Sequence, residues 1–296
     1  MPDNDMNKLW TERKALVEQA LVKELREQEA LDPHLAESMK YSLMAGGKRL
    51  RPILLMAAAD ALGAEGTDYL TTGAAIEMIH TYSLIHDDLP AMDDDDYRRG
   101  KLTNHKVYGA GIATLAGDAL LTLAFEVMLR QTGVSDGVRL TVVREMAIAA
   151  GMNGMVGGQA IDLESEGQHI SMEQLRKMHM GKTGALFRAA IRSGAIMAGA
   201  SEQDLAALTA YAEEFGLAFQ ITDDILDVVG EQELIGKPVG SDEKNEKSTY
   251  VTLTSLEEAR RLARESVERG LAALEPFGDA AWFLRDLLSY LLKRDH

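Results

Sequence analysis

The sequence predicts an all-α fold, a bundle of about ten or more helices, from three observations. No segment alternates between polar and apolar residues with the period of two that marks a half-buried strand. Aromatic residues make up only 5% of the chain, while Ala, Leu and Met, which favour helix, are plentiful. The 296 residues include only 6 prolines and no Ser/Gly-rich tract, so we expect a single domain over residues 1–296.

Local signals place the first helices. Residues 6–29 are charged and amphipathic, which predicts an outer helix. The pair Asp32-Pro33 is typical of an N-cap followed by proline at the first helical position. Apolar stretches of helical length then predict interior helices at residues 50–62, 67–88, 115–131, 138–155, 206–229 and 281–293.

Capping signatures predict three further helix starts. Ser171, Ser201 and Ser255 each stand three residues before an acidic or amide side chain, as in a capping box. Residues 230–247 are polar and contain glycine, so we expect a loop there.

Composition excludes several classes of function. A formal net charge of −16 argues against nucleic acid and anionic membrane surfaces as partners. The absence of cysteine excludes disulfides, thiolate catalysis and Cys-ligated metals. The acidic start of the chain lacks an apolar leader and no apolar stretch reaches membrane-spanning length, so we expect a cytoplasmic protein.

Two aspartate clusters are the most informative feature of the chain. Asp223 and Asp227 lie four residues apart within an apolar run, so one helix face carries both carboxylates. Asp87 and Asp93 are six apart, but Pro90 disfavours helical geometry before it, and a loosened turn would bring Asp93 back beside Asp87. Because like charges repel, we expect Mg²⁺ and a polyanionic substrate between the clusters.

Basic residues near these clusters predict phosphate recognition. Lys48 and Arg51 flank a Gly-Gly bend before an apolar helix, and Arg98 and Arg99 directly follow the first aspartate cluster. His80 shares a helix face with Ser83 and Asp87 and is either a satisfied core residue or a functional one.

The ordered motifs resemble those of the trans-isoprenyl diphosphate synthases. The matching blocks cover nearly the whole chain: GGKRLRP (46–52), DDLPAMDDDDYRRG (87–100), GGQAIDL (157–163), KTGAL (182–186), FQITDDILD (219–227) and GKPVGSD (236–242) followed by KSTY (247–250). The resemblance implies an all-α fold around a central active-site cavity. It also implies a homodimer, Mg²⁺ as cofactor with three ions per site, and Mn²⁺ as an alternative cation.

The resemblance also implies residue roles. The implied magnesium ligands are Asp87, Asp93 and Asp223, supported by Asp88 and Asp227. The implied contacts to an allylic diphosphate are Arg98, Lys182 and Lys247, and those to isopentenyl diphosphate are Lys48, Arg51, His80 and Arg99. Lys237 is a further implied substrate-binding residue. Thr183 and Gln220 would stabilise an allylic cation without trapping it covalently.

Product length follows from the residues before the first cluster. Tyr82 and Ser83 precede Asp87 by five and four residues, and an aromatic Tyr82 would form the floor of the product channel. This pattern resembles bacterial farnesyl diphosphate synthases, so we expect condensation of isopentenyl diphosphate with dimethylallyl or geranyl diphosphate to a C15 product.

Four alternatives stay open at this point. A geranylgeranyl diphosphate synthase would use the same site, and a non-catalytic prenyl synthase subunit would keep the fold. A class I terpene cyclase has no need of the basic segment 48–51. A metal phosphohydrolase, suggested by His86-Asp87, would need further histidine ligands in a recognisable pattern.

Overall fold

The computed structural model describes residues 2–26, 30–229 and 248–293. Within these ranges the chain is almost entirely helical, and its strands are a single antiparallel hairpin, β1 (Tyr97–Arg98) and β2 (Lys101–Leu102). The predicted all-α fold is therefore confirmed.

The helices run in chain order through the bundle. Their bounds are α1 Pro2–Arg26, α2 Pro33–Leu43, α3 Leu50–Asp60, α4 Leu70–Asp87, α5 Asn104–Tyr108, α6 Ala110–Leu129, α7 Asp136–Ala150, α8 Met155–Glu164, α9 Met172–His179, α10 Ala185–Met197, α11 Glu202–Val229, α12 Tyr250–Leu253, α13 Leu256–Ala273 and α14 Trp282–Leu291. Short 3₁₀ turns at Gly66–Tyr69 and Glu275–Ala281 and a π-helical turn at Met180–Gly184 complete the described elements.

The predicted helix starts are confirmed by their caps. The side chain of Asp32 accepts a hydrogen bond from the His34 N–H, with Pro33 at the first position of α2. Ser171 and Gln174 form a reciprocal capping box at α9. The hydroxyls of Ser201 and Ser255 likewise accept from the backbone N–H three residues on, at Asp204 and Glu258.

One predicted helix is divided. The apolar stretch 138–155 was expected to be continuous, but α7 ends at Ala150 and α8 begins at Met155. Gly151 at the break has extended backbone (φ −84°, ψ −158°), because a glycine with no side chain loses little by leaving the helix. The break turns the GGQAIDL block into a separate helix that can face the centre of the bundle.

The core lies around α3, which is buried on every side. Residues 53 to 59 of α3 are all 2% exposed or less. Helix α10 crosses it so closely that a Cβ on Gly194 would lie 2.1 Å from the Leu55 carbonyl oxygen. The central helices α4, α10 and α11 pack around this contact, so the ends of α4 and α11 are fixed by a rigid interior.

Helix α6 is long and apolar enough to cross a membrane by length and composition alone. Its mean hydropathy reaches 1.7, and 44% of that window is buried inside the protein. It packs along α4 through Ala113, Gly117 and Leu120, as a core helix does. Leu115 and Leu129 on its opposite side are about half exposed, at 53% and 50%.

Candidate active site

The first aspartate cluster lies where α4 ends. The Asp88 N–H still donates to the Leu84 carbonyl, and the chain then leaves the helix. After this turn the Asp93 N–H donates to the Asp87 carbonyl at 2.9 Å. The predicted return of Asp93 to Asp87 across the loosened turn is therefore confirmed for the backbone.

Asp88 is held by arginine. Its carboxylate is only 3% exposed. The Nε of Arg98 donates to both oxygens at 2.8 Å, and Nη2 lies 2.6 Å from Oδ1. Burial lowers the pKa of Arg98, but the hydrogen bond and charge of Asp88 outweigh it and the net shift is upward. Asp88 thus holds the guanidinium of Arg98 in place beside the first cluster.

The surroundings of Asp87 raise its pKa and so disfavour its charged form. Burial raises its pKa first, and the neighbouring carboxylates of Asp93 and Asp88 raise it further, while Lys182 and Arg98 oppose this rise. A carboxylate in such surroundings is stabilised by any additional cation. The arrangement favours binding of a metal ion or another positive group beside Asp87.

Lys182 lies on the π-helical turn Met180–Gly184 and connects to α8. Its Nζ donates to Asp162 Oδ2 at 2.6 Å. Burial lowers the Lys182 pKa, but the charges of Asp162 and Asp87 outweigh it and the pKa is raised. A Cβ on Gly158 would lie 2.0 Å from the Lys182 backbone nitrogen, so only glycine permits this approach of α8 to the turn.

The second aspartate cluster lies near the end of α11, on the face that meets the Lys182 turn. A Cβ on Gly216 would lie 3.1 Å from the Gly184 Cα, which shows that the turn packs at this point of α11. Gln220, Asp223 and Asp227 follow Gly216 by four, seven and eleven residues, so all share its face. Because Lys182 also acts on Asp87, this turn joins the two clusters into one centre.

Asp224 faces away from that centre. It is 5% exposed, and its Oδ2 accepts a hydrogen bond from the Tyr250 N–H at 2.7 Å, at the start of α12. The carboxylate therefore docks α12 onto α11.

Beyond Arg98 and Lys182, a second basic group formed by Arg51, His80 and Arg99 lies beside the first cluster. Gly46 and Gly47 have positive φ, and the Arg99 guanidinium lies against Gly47 and donates to the Gly46 carbonyl. Arg51 is 9% exposed and lies over the ring of Phe187, 4.4 Å from its centroid. Burial lowers its pKa to about 10.

His80 belongs to this basic group. Its pKa lies well below the usual value, through burial first and then through the charges of Arg51, Arg99, Arg98 and Arg49. The ring is therefore neutral at pH 7 and can donate or accept a hydrogen bond next to these arginines. The structure thus brings together the predicted Arg51, His80 and Arg99.

Lys48 is exposed at the edge of this group. Its backbone carbonyl accepts a hydrogen bond from the Trp10 indole N–H at 2.9 Å, which ties α1 to the bend before α3. The predicted Lys237 and Lys247 lie outside the described residues.

Tyr82 lies between α4 and α6. Its side chain is 8% exposed and meets the His86 ring edge to face at 4.9 Å. His86 in turn fills the space above Gly117, where a Cβ would lie 2.2 Å from its Nε2, and that nitrogen is 3.0 Å from the Thr114 carbonyl. Ser83 donates to the His80 carbonyl at 2.8 Å. The His86 ring therefore fills the space between Tyr82 and Gly117 of α6, so the Tyr82 side chain has no room to move towards α6.

The carboxylates of the two clusters suit a metal ion that is shared with a substrate. Among residues 2–26, 30–229 and 248–293, no three His, Asp or Glu side chains come close enough to hold a metal by themselves. Mg²⁺ usually binds proteins through one or two carboxylates and completes its shell with water and substrate phosphates. The carboxylates of both clusters fit this ion together with a bound diphosphate.

Two residues of this centre were missed from the sequence. Asp162 stands in the GGQAIDL block, but nothing in the local pattern joins it to Lys182, 20 residues away. Glu77 is a single acid inside an apolar helix, and that isolation was the available signal. It is 1% exposed, and its carboxylate accepts a hydrogen bond from Arg49 at 2.9 Å.

Comparison with known proteins assigns the family. The polyprenyl synthetase family model matches residues 32–275. The dimethylallyltranstransferase of Fischerella ambigua is 50% identical over 88% of this chain and 76% of its own. The farnesyl diphosphate synthase of Micrococcus luteus is 47% identical over 88% of this chain and 89% of its own. The chain belongs to the polyprenyl synthetase family.

Solved structures agree. The apo crystal structure of an FPP/GFPP synthase from Zymomonas mobilis superposes with a TM-score of 0.88 at 38% identity, covering 99% of this chain and 100% of that one. Relatives named geranylgeranyl diphosphate or pyrophosphate synthase also match, at 43% to 47% identity. The predicted family is therefore confirmed, and the relatives include synthases named for more than one product length.

Proposed function

We propose that the protein is a short-chain prenyltransferase, a farnesyl diphosphate synthase that condenses isopentenyl diphosphate with dimethylallyl or geranyl diphosphate. The observation that carries this proposal is the Lys182 turn, which packs on the Asp223 face of α11 while its ammonium acts on Asp87. A separate group of buried arginines lies beside it. One site thus offers carboxylates for a metal-bound diphosphate and cations for a second one.

The allylic diphosphate occupies the first half of this site. Asp87, Asp93 and Asp223 are the principal Mg²⁺ ligands, with Asp227 and Asp88 in support, and three ions bind per site. The supporting role of Asp88 acts through Arg98, which it holds. When bound, Mg²⁺ neutralises the charge that develops on the leaving diphosphate.

The protein's own residues guide the reaction. Lys182 and Arg98, with Lys247 and Lys237 from outside the described residues, bind the diphosphate as its C–O bond breaks. Thr183 and Gln220 place neutral oxygens near the resulting allylic cation.

Isopentenyl diphosphate is held at Lys48, Arg51, His80 and Arg99. Its double bond attacks C1 of the cation, a new C–C bond forms, and the proton lost from the adduct passes to the departed diphosphate. Water must be kept out, since it would quench the cation.

Product length depends on Tyr82. With Ser83, Tyr82 forms the floor of the channel below Asp87, and the His86 ring behind it supports a stop at C15. The Tyr82→Ala variant should extend the product to C20 or longer, as measured by chromatography of the dephosphorylated products. A variant that still stops at C15 would remove Tyr82 from this role. A C20 product from the unaltered protein would favour a geranylgeranyl diphosphate synthase on the same site.

A homodimer completes the proposal. Exposed apolar side chains on α6 and α7, together with Met152 between α7 and α8, support an interface between two copies. Their exposed fractions are 53% for Leu115, 50% for Leu129, 61% for Leu140, 47% for Ile148 and 81% for Met152. Sedimentation of the protein should give twice the mass of 32.3 kDa. The cytoplasmic localisation stays a prediction from composition.

The first experiment is incubation with labelled isopentenyl diphosphate and dimethylallyl diphosphate, with and without Mg²⁺. A magnesium-dependent C15 product is expected. A folded protein that forms no product would favour the non-catalytic subunit, although both aspartate clusters are intact.

A further inference from the structure

Arg49 stands among the cations of the second basic group, yet its side chain points into the core. It has left-handed backbone (φ 52°, ψ 34°) at the start of α3, between Lys48 and Arg51. Its guanidinium is fully buried, with Nη1 donating to Glu77 Oε1 at 2.9 Å and Nη2 to the Leu43 carbonyl at 2.8 Å. One side chain therefore joins the end of α2, the start of α3 and the middle of α4.

Glu77 lies inside the apolar part of α4. It is 1% exposed, and its second oxygen, Oε2, has no hydrogen-bond partner. A buried ion pair of this kind costs desolvation energy and is often replaceable by apolar residues without loss of stability. A contribution to stability is therefore a weak explanation for the presence of this pair. A role in positioning the residues around it is an alternative explanation.

The pair lies directly under the basic group. His80 follows Glu77 by three residues on α4 and so projects to the same side. Arg51 follows Arg49 by two residues at the start of α3, where the left-handed residue sets the direction in which the helix begins. The pair therefore connects the start of α3, which carries Arg51, to the part of α4 that carries His80.

Charge supports the same link. The charged groups that interact with the pair are Arg51 and Arg99, with Glu18 at 3.7 Å from the Arg49 Nε. Burial lowers the pKa of both Arg51 and Arg99, and the charge of Glu77 is the first opposing influence in each case. The negative charge of Glu77 thus stabilises the charged forms of Arg51 and Arg99.

We propose that Arg49 and Glu77 are a positioning pair for the isopentenyl diphosphate pocket. They hold Arg51, Arg99 and His80 in the geometry that receives a diphosphate, without touching the substrate. This inference rests on the proposed function, because it takes these three residues as the isopentenyl diphosphate site.

The test separates binding of the two substrates. Glu77→Gln keeps the shape of the side chain and removes its charge. We expect the KM for isopentenyl diphosphate to rise about tenfold, equivalent to about 1.4 kcal/mol, while the KM for the allylic substrate and kcat change less than about twofold. Calorimetric titration with isopentenyl diphosphate alone, without Mg²⁺ or allylic substrate, should show the same loss of affinity without any turnover.

The control is a second ion pair in which the acid is buried and the arginine is partly exposed. Glu24 on α1 is 5% exposed and lies 3.0 Å from Arg130 at the end of α6. Glu24→Gln should lower the melting temperature and leave both KM values unchanged. If Glu77→Gln behaves like this control, or raises both KM values equally, the pair is only structural and the inference is wrong.

A double variant tests the inference even if the Glu77→Gln variant does not fold. Arg49→Met with Glu77→Leu replaces the pair by apolar side chains of similar volume. The folded double variant should still bind isopentenyl diphosphate about tenfold more weakly. Affinity equal to that of the unaltered protein would overturn the inference.

Arg51→Ala distinguishes this inference from the proposed function. If Arg51→Ala weakens isopentenyl diphosphate binding and Glu77→Gln does not, the pocket is correct and the positioning role is wrong. If neither variant affects binding, the pocket itself has been assigned wrongly.

Discussion

The two aspartate clusters are built differently. The second lies on the continuous helix α11, where spacing alone puts Asp223 and Asp227 on one face. The first lies on an irregular turn after α4, and Asp93 reaches Asp87 only because its N–H donates to the Asp87 carbonyl. In the first cluster Arg98 holds Asp88, and in the second the Tyr250 N–H donates to Asp224.

The partners of Asp88 and Asp224 differ, and this difference distinguishes a carboxylate that supports function from one that supports the fold. In the proposed function Arg98 binds a diphosphate, so Asp88 would support the chemistry by orienting Arg98. Tyr250 contributes only a backbone N–H, so Asp224 supports the docking of α12. Variants of the clusters should therefore fall into graded classes.

The largest effect is expected at the carboxylates on the facing sides of the clusters. Asp87→Asn and Asp223→Asn keep the volume of each side chain and remove its charge. Each should lower kcat by about 10³-fold, on the scale of a lost electrostatic stabiliser, as measured by incorporation of labelled isopentenyl diphosphate. Asp279→Asn, at an exposed position of the Glu275–Ala281 turn, is the control. A large loss of kcat in only one of these variants would show that the two clusters do not contribute equally to the reaction.

An intermediate effect is expected at Asp88. Asp88→Ala releases Arg98 from its two-oxygen contact, so the guanidinium loses its orientation. The KM for the allylic diphosphate should rise about tenfold, with a smaller change in the KM for isopentenyl diphosphate. Equal changes in both values would show that Arg98 serves the whole site.

Asp224 should behave in the opposite way. Asp224→Ala leaves the buried Tyr250 N–H without its acceptor, which costs about 1–3 kcal/mol of the free energy of unfolding. Urea unfolding should detect this loss, while kcat changes less than about threefold because the carboxylate faces away from the reaction. A kcat loss as large as that of Asp223→Asn would show that Asp224 belongs to the centre.

The smallest effect is expected at the exposed end of the first cluster. Asp96 forms an ion pair with Lys106 at 2.6 Å in contact with solvent, where such pairs contribute little. Asp96→Asn should leave kcat and both KM values within about twofold of the unaltered protein. Steady-state assays at low and high salt would reveal any hidden contribution, since exposed charges are screened by salt.

Local patterns predicted the parts of this molecule that depend on neighbouring residues. The caps at Asp32 and Ser171, and the return of Asp93 after Pro90, all arise from hydrogen bonds within a few residues. The same holds for the shared face of Asp223 and Asp227. The helix break at Gly151 was missed because apolar residues continue on both sides of it.

The contacts that finish the site join distant segments. Lys182 meets Asp162 over 20 residues, and Arg49 meets Glu77 over 28. Each partner looks ordinary in its own stretch of sequence, and only the packing of α8 on the turn, or of α3 on α4, brings the charges together.

The hydrogen bond from Trp10 to the Lys48 carbonyl has a practical use. The chain contains 2 tryptophans, Trp10 and Trp282, so a Trp282→Phe variant leaves one indole as a fluorophore. That indole is fixed to the bend that carries Lys48. Its emission would then follow movements of this bend as isopentenyl diphosphate binds, in real time and without an attached label.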